Sequence, residues 1–366
     1  MRQSFFISFL CFGTTLWISA IFAQFASAVP SVSLLHERAN PPNTTTNFNL
    51  AVSLLTSHQF EKSEAAFKKL LAHSNRRDNR FLADVLNYIG VALHAQKKEH
   101  EAEIFFRDAI AKLPPVSEKD KLMRAKVFSN LAGVYLALGK TEQCSDCCEN
   151  AARLFREVGN SSKELAVLLN SYARLKMHLL DWSAAEPLLI ESIKLREETI
   201  GSGSIELTTP LVNLGTVYFE QEKFQQAEQV CERTIAICEK CNGSECALLF
   251  PLVSNLAEAQ LELKKYFVAV FNYKRALSIS DKEFGPHSNE SLNTLLSLSE
   301  AAEASNQRQL ATASLKRAVE ISRSKFGPQD ERTLQALEAL ADLEGGNGNA
   351  SEARRLRFLS RLSRRR

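Results

Sequence analysis

The sequence contains few of the residues that interrupt helices and none of the common signatures of catalysis. Only 14 Gly and 10 Pro occur among its 366 residues, so a collagen-like or low-complexity chain is excluded. The seven His are scattered, and there is no His-Glu-x-x-His, Gly-x-Ser-x-Gly, phosphate-loop or dinucleotide-binding motif. These absences predict that the protein is not an enzyme and that it has neither a cofactor nor a small-molecule substrate.

What the sequence does contain is a repeated unit. Similar segments begin at positions that are separated by 40 to 43 residues. These positions are Asn87, Asn130, Asn170, Asn213, Asn255, Ser297 and Ala339. A constant period of this size is typical of a solenoid of stacked supersecondary units. Apolar residues recur within each unit at three- and four-residue spacing, and no segment alternates as a strand would, so each unit is predicted to be a helix pair.

Small and large residues recur at fixed places in the units and predict how the helices pack. Small residues allow the two helices of a unit to approach each other, large residues fill the remaining space, and a further small position contacts the next unit. The small positions are Ala132, Gly215 and Ala257 in first helices, with Ala65, Ala227, Ala269, Ala311 and Ala353 in second helices. The large positions are Phe106, Tyr135, Tyr218 and Tyr273, and the positions facing the next unit are Ala109, Ala151, Ala276 and Ala318.

These positions resemble those of the tetratricopeptide repeat family, and the period is similar to that of the longer repeats in kinesin light chains. Segments 200–207, 284–291 and 326–333 (IGSGSIEL, FGPHSNES and FGPQDERT) are similar to the linkers between those repeats. The resemblance covers roughly residues 48–357 and implies an all-α fold. This fold would be an α-solenoid, a right-handed superhelix of about eight stacked helix hairpins with the first helices on its concave side.

The same resemblance implies a function without chemistry. It predicts a scaffold or adaptor that binds a peptide or protein segment in the concave groove. It does not identify the partner, because this fold serves many unrelated partners. A membrane-associated assembly factor is the main alternative, and a structural spacer with an empty groove is a third.

The N-terminus predicts export. Residues 1–28 have a basic start, an apolar run and a small-residue cleavage site, which indicate a secretory signal peptide. An uncleaved signal anchor is the alternative, because the run is long enough to span a bilayer. The remaining segments are predicted to be a flexible linker (29–47), the solenoid (48–345) and a C-terminal capping helix with a basic tail (346–366).

Seven cysteines follow the predicted signal peptide. Cys144, Cys148 and Cys231 fall at packing positions and are expected to be buried small hydrophobes. The segment CEKCNGSEC contains Cys238, Cys241 and Cys246 on either side of a turn. In an oxidising compartment we expect a disulfide between Cys241 and Cys246 or between Cys238 and Cys246. A zinc site at these three residues is a weaker alternative, because no His is nearby, and the odd number of thiols also permits an intermolecular bridge.

Candidate peptide-binding residues lie on the first helices. An Asn amide both donates and accepts hydrogen bonds, so a row of them could pair with the backbone of an extended peptide. The five candidates are Asn87, Asn130, Asn170, Asn213 and Asn255, and the alternative role for them is to hold neighbouring repeats together. Lys126 is the one basic residue on the matching faces, while Glu220, Glu258 and Glu262 predict an acidic stretch that favours a basic partner.

The C-terminal tail is strongly basic. Its last thirteen residues contain seven Arg and no acid: Arg354, Arg355, Arg357, Arg361, Arg364, Arg365 and Arg366. Leu356, Leu359 and Leu362 recur at three-residue steps, as in a helix that packs on the last repeat. The Arg residues would then either stay in solvent or dock on an anionic membrane surface or an acidic protein. Nucleic acid is not expected as a partner of an exported chain.

Overall fold

The computed structural model describes residues 42–73, 78–114, 116–242 and 247–364. Within these ranges there are sixteen α-helices and one 3-10 turn, Ile205–Leu207, and no strand. The helices follow one another as eight hairpins, each with an odd-numbered first helix and an even-numbered second helix, which confirms the predicted all-α fold of helix hairpins. Their bounds are α1 Pro42–Thr56, α2 Phe60–His73, α3 Asn79–Ala95, α4 Glu99–Lys112, α5 Glu118–Ala137, α6 Thr141–Val158, α7 Ser162–His178, α8 Trp182–Ile200, α9 Thr208–Glu220, α10 Phe224–Asn242, α11 Leu249–Glu262, α12 Tyr266–Glu283, α13 Asn289–Ala304, α14 Arg308–Phe326, α15 Glu331–Gly346 and α16 Ala350–Arg364.

Helix α1 begins at Pro42, before the predicted end of the linker at residue 47. Proline suits the first turn of a helix, because its fixed φ is already helical and its missing N–H has no partner there. The ring of Phe48 lies 5.5 Å from that of Phe67 and 5.4 Å from that of Tyr88. This aromatic cluster joins α1 to the next two helices.

The predicted signal peptide and most of the predicted linker lie outside the described residues. None of the helices within the described ranges combines the length and the hydropathy needed to span a bilayer. The apolar run at residues 5–25 lies outside these ranges and is not one of those helices.

The chain divides into two compact units between Ser202 and Gly203. The unit that contains α1 to α8 has one continuous apolar core, which extends from Phe48 to Leu175. The unit that contains α9 to α16 has apolar clusters between its successive helices. Each unit is therefore a stack in which a hairpin packs on its neighbours in sequence.

Most of the predicted packing positions are buried, whereas Tyr218 is half-buried. Ala132, Ala257, Ala269 and Ala311 are inaccessible to solvent, as are the positions facing the next unit. Gly90 shows why small residues are needed, because a Cβ atom built on it would lie 2.8 Å from the ring of Phe106. A larger residue there would force the two helices of the hairpin apart.

The small position of the first hairpin was predicted wrongly. Ala65 is exposed, whereas Ser63 on the same helix is fully buried. The Ser63 hydroxyl donates a hydrogen bond of 2.8 Å to the carbonyl oxygen of Ala51. A buried hydroxyl is tolerated when it has such a partner, so this hairpin replaces the expected alanine with a serine two residues earlier.

All eight turns within the hairpins share one backbone conformation. Each has a residue with positive φ, namely His58, Lys97, Gly139, Leu180, Glu222, Lys264, Asn306 and Gly348. In each turn the N–H of the following residue bonds a carbonyl near the end of the first helix, as Asp181 does with Lys176 at 2.9 Å. This is the usual C-terminal cap of a helix, in which glycine is preferred because it has no Cβ.

Three ion pairs join consecutive hairpins at these turns. The Nζ atoms of Lys140 and Lys265 lie 2.8 and 2.6 Å from carboxylate oxygens of Glu103 and Glu228 in the preceding hairpin. Lys98 is paired with Glu64 in the same way at 3.5 Å. Burial raises the pKa of Glu103, but the hydrogen bond from Lys140 and the nearby charges outweigh it, so the pKa lies below its ordinary value. Each pair therefore connects one hairpin to the next.

The positive φ predicts the effect of two substitutions. Leu180→Gly should raise the free energy of unfolding by about 0.5 kcal/mol, because relief of about 1–2 kcal/mol of backbone strain exceeds the entropic cost of glycine. Gly139→Ala should lower the free energy of unfolding by about 1 kcal/mol. A Cβ atom built on Gly139 would have no other atom within 4 Å apart from its chain neighbours, so the strain of the positive φ is the one effect that acts there. Urea denaturation measures both effects. A lower midpoint for Leu180→Gly would contradict the strain argument.

Candidate functional site

The first-helix face was predicted to present a row of Asn side chains, but the structure buries the first two. Asn87 is inaccessible and Asn130 is 8% exposed. The amide nitrogen of Asn130 donates a hydrogen bond of 2.9 Å to the amide oxygen of Asn87. This bond joins α3 to α5, two consecutive first helices. In this pair the amides hold neighbouring repeats together, and they do not face a groove.

Two further Asn side chains are also buried. Asn170 is 1% exposed and Asn213 is 4% exposed, while Asn255 is half-buried. The expectation that they face the groove was wrong because each Asn and the residue that follows it are only about 100° apart on a helix. A first helix packs against its own second helix and against the neighbouring hairpin, so the Asn and the residue that follows it both lie inside. Peptide contact stays a prediction for Asn255 alone among the five.

Lys126 is half-buried on α5. Its Nζ atom lies 3.8 Å from a carboxylate oxygen of Glu164 at the start of the next first helix, α7. The charge of Lys126 is thus partly neutralised within the protein. The one basic residue predicted on this face is a weak candidate for binding a carboxylate.

A row of carboxylates lies on the first helices of the second unit. Glu220 and Glu262 occupy equivalent positions, 42 residues apart, on α9 and α11. Glu258 and Glu300 are likewise equivalent on α11 and α13. Sequence analysis missed Glu300, although its spacing from Glu258 could have revealed it. We call Glu258, Glu262 and Glu300 the acidic face.

The residues of the acidic face act on one another electrostatically. Burial raises the pKa of Glu258, and the charges of Glu300 and Glu262 raise it further. A hydrogen bond from the Tyr273 hydroxyl opposes this rise without cancelling it. Burial also raises the pKa of Glu220. Like charges held close together favour the approach of a cation, which would lower these pKa values.

The described cysteines do not form a chemical site. Cys144, Cys148, Cys231 and Cys238 are buried, which confirms burial for the three predicted to be packing residues. Burial raises the pKa of Cys231 to about 12, so its thiolate is scarce at neutral pH.

No disulfide joins any of the described cysteines, and Cys241 is exposed with a free thiol. The predicted partner, Cys246, lies outside the described residues. The described ranges contain no group of three or more His, Cys, Asp or Glu arranged to hold a metal ion.

The basic tail forms most of α16, the second helix of the last hairpin. Arg354, Arg355 and Arg361 are exposed on it, Arg364 is its last residue, and Arg365 and Arg366 lie beyond the described ranges. Arg357 donates a hydrogen bond of 2.9 Å to a carboxylate oxygen of Asp342.

Of the three leucines expected to pack, Leu356 is buried and Leu359 half-buried, whereas Leu362 is 40% exposed. Steps of three residues drift by about 60° per step on a helix. The third leucine has therefore rotated out of the interface.

The Asn87–Asn130 bond predicts a measurable coupling. Asn130→Ala should lower the free energy of unfolding by about 1–3 kcal/mol, because it leaves a buried amide unpaired. In a cycle with Asn87→Ala the two effects should be non-additive by about 1 kcal/mol or more. Asn255→Ala, at a half-buried site, should change stability by about 0.5 kcal/mol or less. Additive effects at Asn87 and Asn130 would show that the bond contributes nothing.

Several solved structures are similar to this chain, one of them with a TM-score above 0.5. The C-terminal part of a repeat-containing protein from Cytophaga hutchinsonii is 12% identical to this chain and has a TM-score of 0.54. The matched region covers 79% of this chain and 99% of the Cytophaga chain. A putative kinesin light chain with nearly identical repeats from Podosopora anserina is 20% identical, covers 55% of this chain and 96% of that chain, and has a TM-score of 0.47. YrrB, described as a repeat protein with an unusual peptide-binding site, is 13% identical, covers 58% of this chain and 91% of that chain, and has a TM-score of 0.43.

Comparison with family profiles identifies the repeat itself. A search of curated proteins found no match. The profile described as tetratricopeptide repeat matches residues 123–198, 164–240 and 243–324, which together make up more than half of the chain, and a second profile of that description matches residues 82–112. These matches fall on the helix hairpins described above. The chain therefore belongs to the tetratricopeptide repeat family.

Proposed function

We propose that this protein is a non-enzymatic scaffold that binds a basic segment of another protein on the acidic face. Proteins of this family generally mediate protein–protein interactions, which supports a scaffold. The observation that carries the proposal is that Glu258, Glu262 and Glu300 lie on neighbouring first helices and act on one another as like charges: burial raises the pKa of Glu258, and repulsion from Glu300 and Glu262 raises it further. A Lys or Arg side chain placed among them would relieve this repulsion.

The surroundings of the acidic face support a partner of positive charge. Glu258 is half-buried, and it accepts a hydrogen bond from the neutral hydroxyl of Tyr273. Within the described ranges, no Lys or Arg is among the groups that shift its pKa. Partly buried carboxylates interact more strongly with a cation than exposed ones, because water screens them less. The acidic face is therefore suited to side chains that end in an ammonium or guanidinium group.

The place of action is a separate part of the proposal. We propose export on the basis of residues 1–28, whose basic start, apolar run and Ala26-Ser27-Ala28 site are those of a signal peptide. The acidic face is equally compatible with a protein that stays anchored by this segment. A structural spacer would show no binding at all, so the binding experiment separates it from the scaffold.

The acidic face predicts selective binding of a basic peptide. Fluorescence anisotropy with a labelled nonapeptide of arginine should show binding by the full chain, weakened about tenfold or more by the triple variant Glu258→Gln, Glu262→Gln, Glu300→Gln, a loss of about 1.4 kcal/mol. Binding should also weaken as the pH falls through the raised pKa of Glu258, because the protonated carboxyl group no longer attracts the cation.

The matched control removes the same charge from exposed sites on second helices of the same unit. It consists of Glu232→Gln, Glu283→Gln and Glu320→Gln and should bind the peptide nearly as well as the wild type. Thermal melting of both triple variants would check that they fold. Equal weakening by the two variants would show that binding follows net charge alone, and the absence of binding by the wild type would contradict the proposal.

A further inference from the structure

The outer face of α16 combines exposed apolar and basic side chains. Phe358 is 63% exposed and Leu362 is 40% exposed. They are four residues apart, so their side chains are neighbours on one face of the helix. We call Phe358 and Leu362, together with the neighbouring Arg354, Arg355 and Arg361, the terminal surface.

The opposite side of α16 holds the helix on the last repeat. Ala353 is 2% exposed and Leu356 is 7% exposed. Ser360 is buried and donates a hydrogen bond of 2.9 Å to a carboxylate oxygen of Glu338 on α15. The helix is therefore already packed through these residues. Phe358 and Leu362 are exposed on the other side of the helix.

Arginines surround the exposed apolar pair. Arg354 lies four residues before Phe358, and Arg355 and Arg361 lie three residues before and after it, so all three are its neighbours on the helix. Each of them is exposed. Glu352 is the one acid on this helix, and Arg355 lies 3.3 Å from its carboxylate. The terminal surface is thus apolar at its centre and positive at its edges.

We propose that the terminal surface docks on an anionic phospholipid bilayer, with α16 lying in the plane of the interface. This inference goes beyond the binding of a basic segment and does not depend on it. Phe358 and Leu362 would enter the boundary between headgroups and acyl chains, and Arg354, Arg355 and Arg361 would contact lipid phosphates. A positive helix with a few bulky apolar residues on its outer face is typical of proteins that bind reversibly at membrane surfaces.

Charge argues against a symmetric contact of the terminal surface with its counterpart on a second copy of this chain. A symmetric contact through the terminal surface would place arginines of one copy against arginines of the other, and like charges across an interface oppose association. A bilayer that contains anionic lipid supplies negative charge over the whole length of the helix. It also offers an apolar phase for the two exposed side chains, which a hydrated acidic peptide does not.

Vesicle co-sedimentation of the full chain tests the proposal. Vesicles of phosphatidylcholine with about one third phosphatidylglycerol should bind the protein, and pure phosphatidylcholine vesicles should bind it much more weakly, with the difference decreasing as salt screens the charges. Removing the apolar pair (Phe358→Ser, Leu362→Ser) or the charges (Arg354→Gln, Arg355→Gln, Arg361→Gln) should each weaken binding about tenfold.

Matched controls come from another second helix and from other exposed cations. Phe267 and Phe271 on α12 are 71% and 68% exposed and also lie four residues apart. Their replacement by Ser should leave binding unchanged, as should the triple variant Lys274→Gln, Arg308→Gln, Lys325→Gln, which removes exposed charge elsewhere. Equal loss in the controls, or equal binding to both kinds of vesicle, would overturn the proposal.

A site-resolved measurement separates the terminal surface from the apolar segment at residues 5–25. Phe358→Trp should give tryptophan emission that vesicles shift to the blue and that brominated lipids quench, beyond the signal of the wild type. Phe267→Trp should not. If Phe358→Trp gives no additional quenching on bound vesicles, the N-terminal segment binds the membrane and the proposal fails. Binding of polyglutamate without binding of vesicles would assign the surface to an acidic protein, which also overturns it.

Discussion

The close approach of the helices within each hairpin is the constraint on which the rest of the structure depends. Phe106 is fully buried and its ring occupies the space that a Cβ atom on Gly90 would need. The same pairing of a small residue on the first helix with a large residue on the second recurs along the chain. A later example is Ala257 on α11, which lies in one apolar cluster with the buried Tyr273 of α12. When the two helices of every hairpin approach each other to the same distance, the hairpins have similar shapes and can stack repeatedly. The period in the sequence follows from this geometric requirement.

Stacking uses polar groups, among them two Asn side chains that the sequence suggested for peptide recognition. The Asn87–Asn130 bond and the Lys140–Glu103 pair each connect a hairpin to its neighbour through partly or fully buried groups. Such groups require partners when they are removed from water, and the adjacent repeat provides them. The two proposed binding surfaces are parts of the described residues that stacking leaves accessible, the acidic face on α11 and α13 and the outer side of α16. One is negative and the other positive, so they favour different partners.

The sequence predicted the helix pairs and most buried positions because both follow from periodicity, and a repeated period fixes the register of each unit. It failed where a neighbouring repeat determines the environment. Asn130 is polar and follows no apolar pattern, so its burial depends on the partner amide that only the stacked structure supplies. Ser63 replaces the expected Ala65 because a carbonyl oxygen lies within reach of its hydroxyl. Glu300 was missed because a single acidic residue on a helix is ordinary, and its meaning depends on Glu258 in the preceding hairpin.

Native-state hydrogen exchange of a packing variant tests most directly the claim that stability comes from contacts between neighbours. Phe106→Ala should cost about 3–5 kcal/mol in its own hairpin. The account predicts faster exchange in α3, α4 and the adjoining helices α2 and α5, with the rates in α13 to α15 unchanged, because a stack of repeats opens locally. A uniform acceleration from α1 to α16 would contradict it, since the chain would then unfold as one cooperative body.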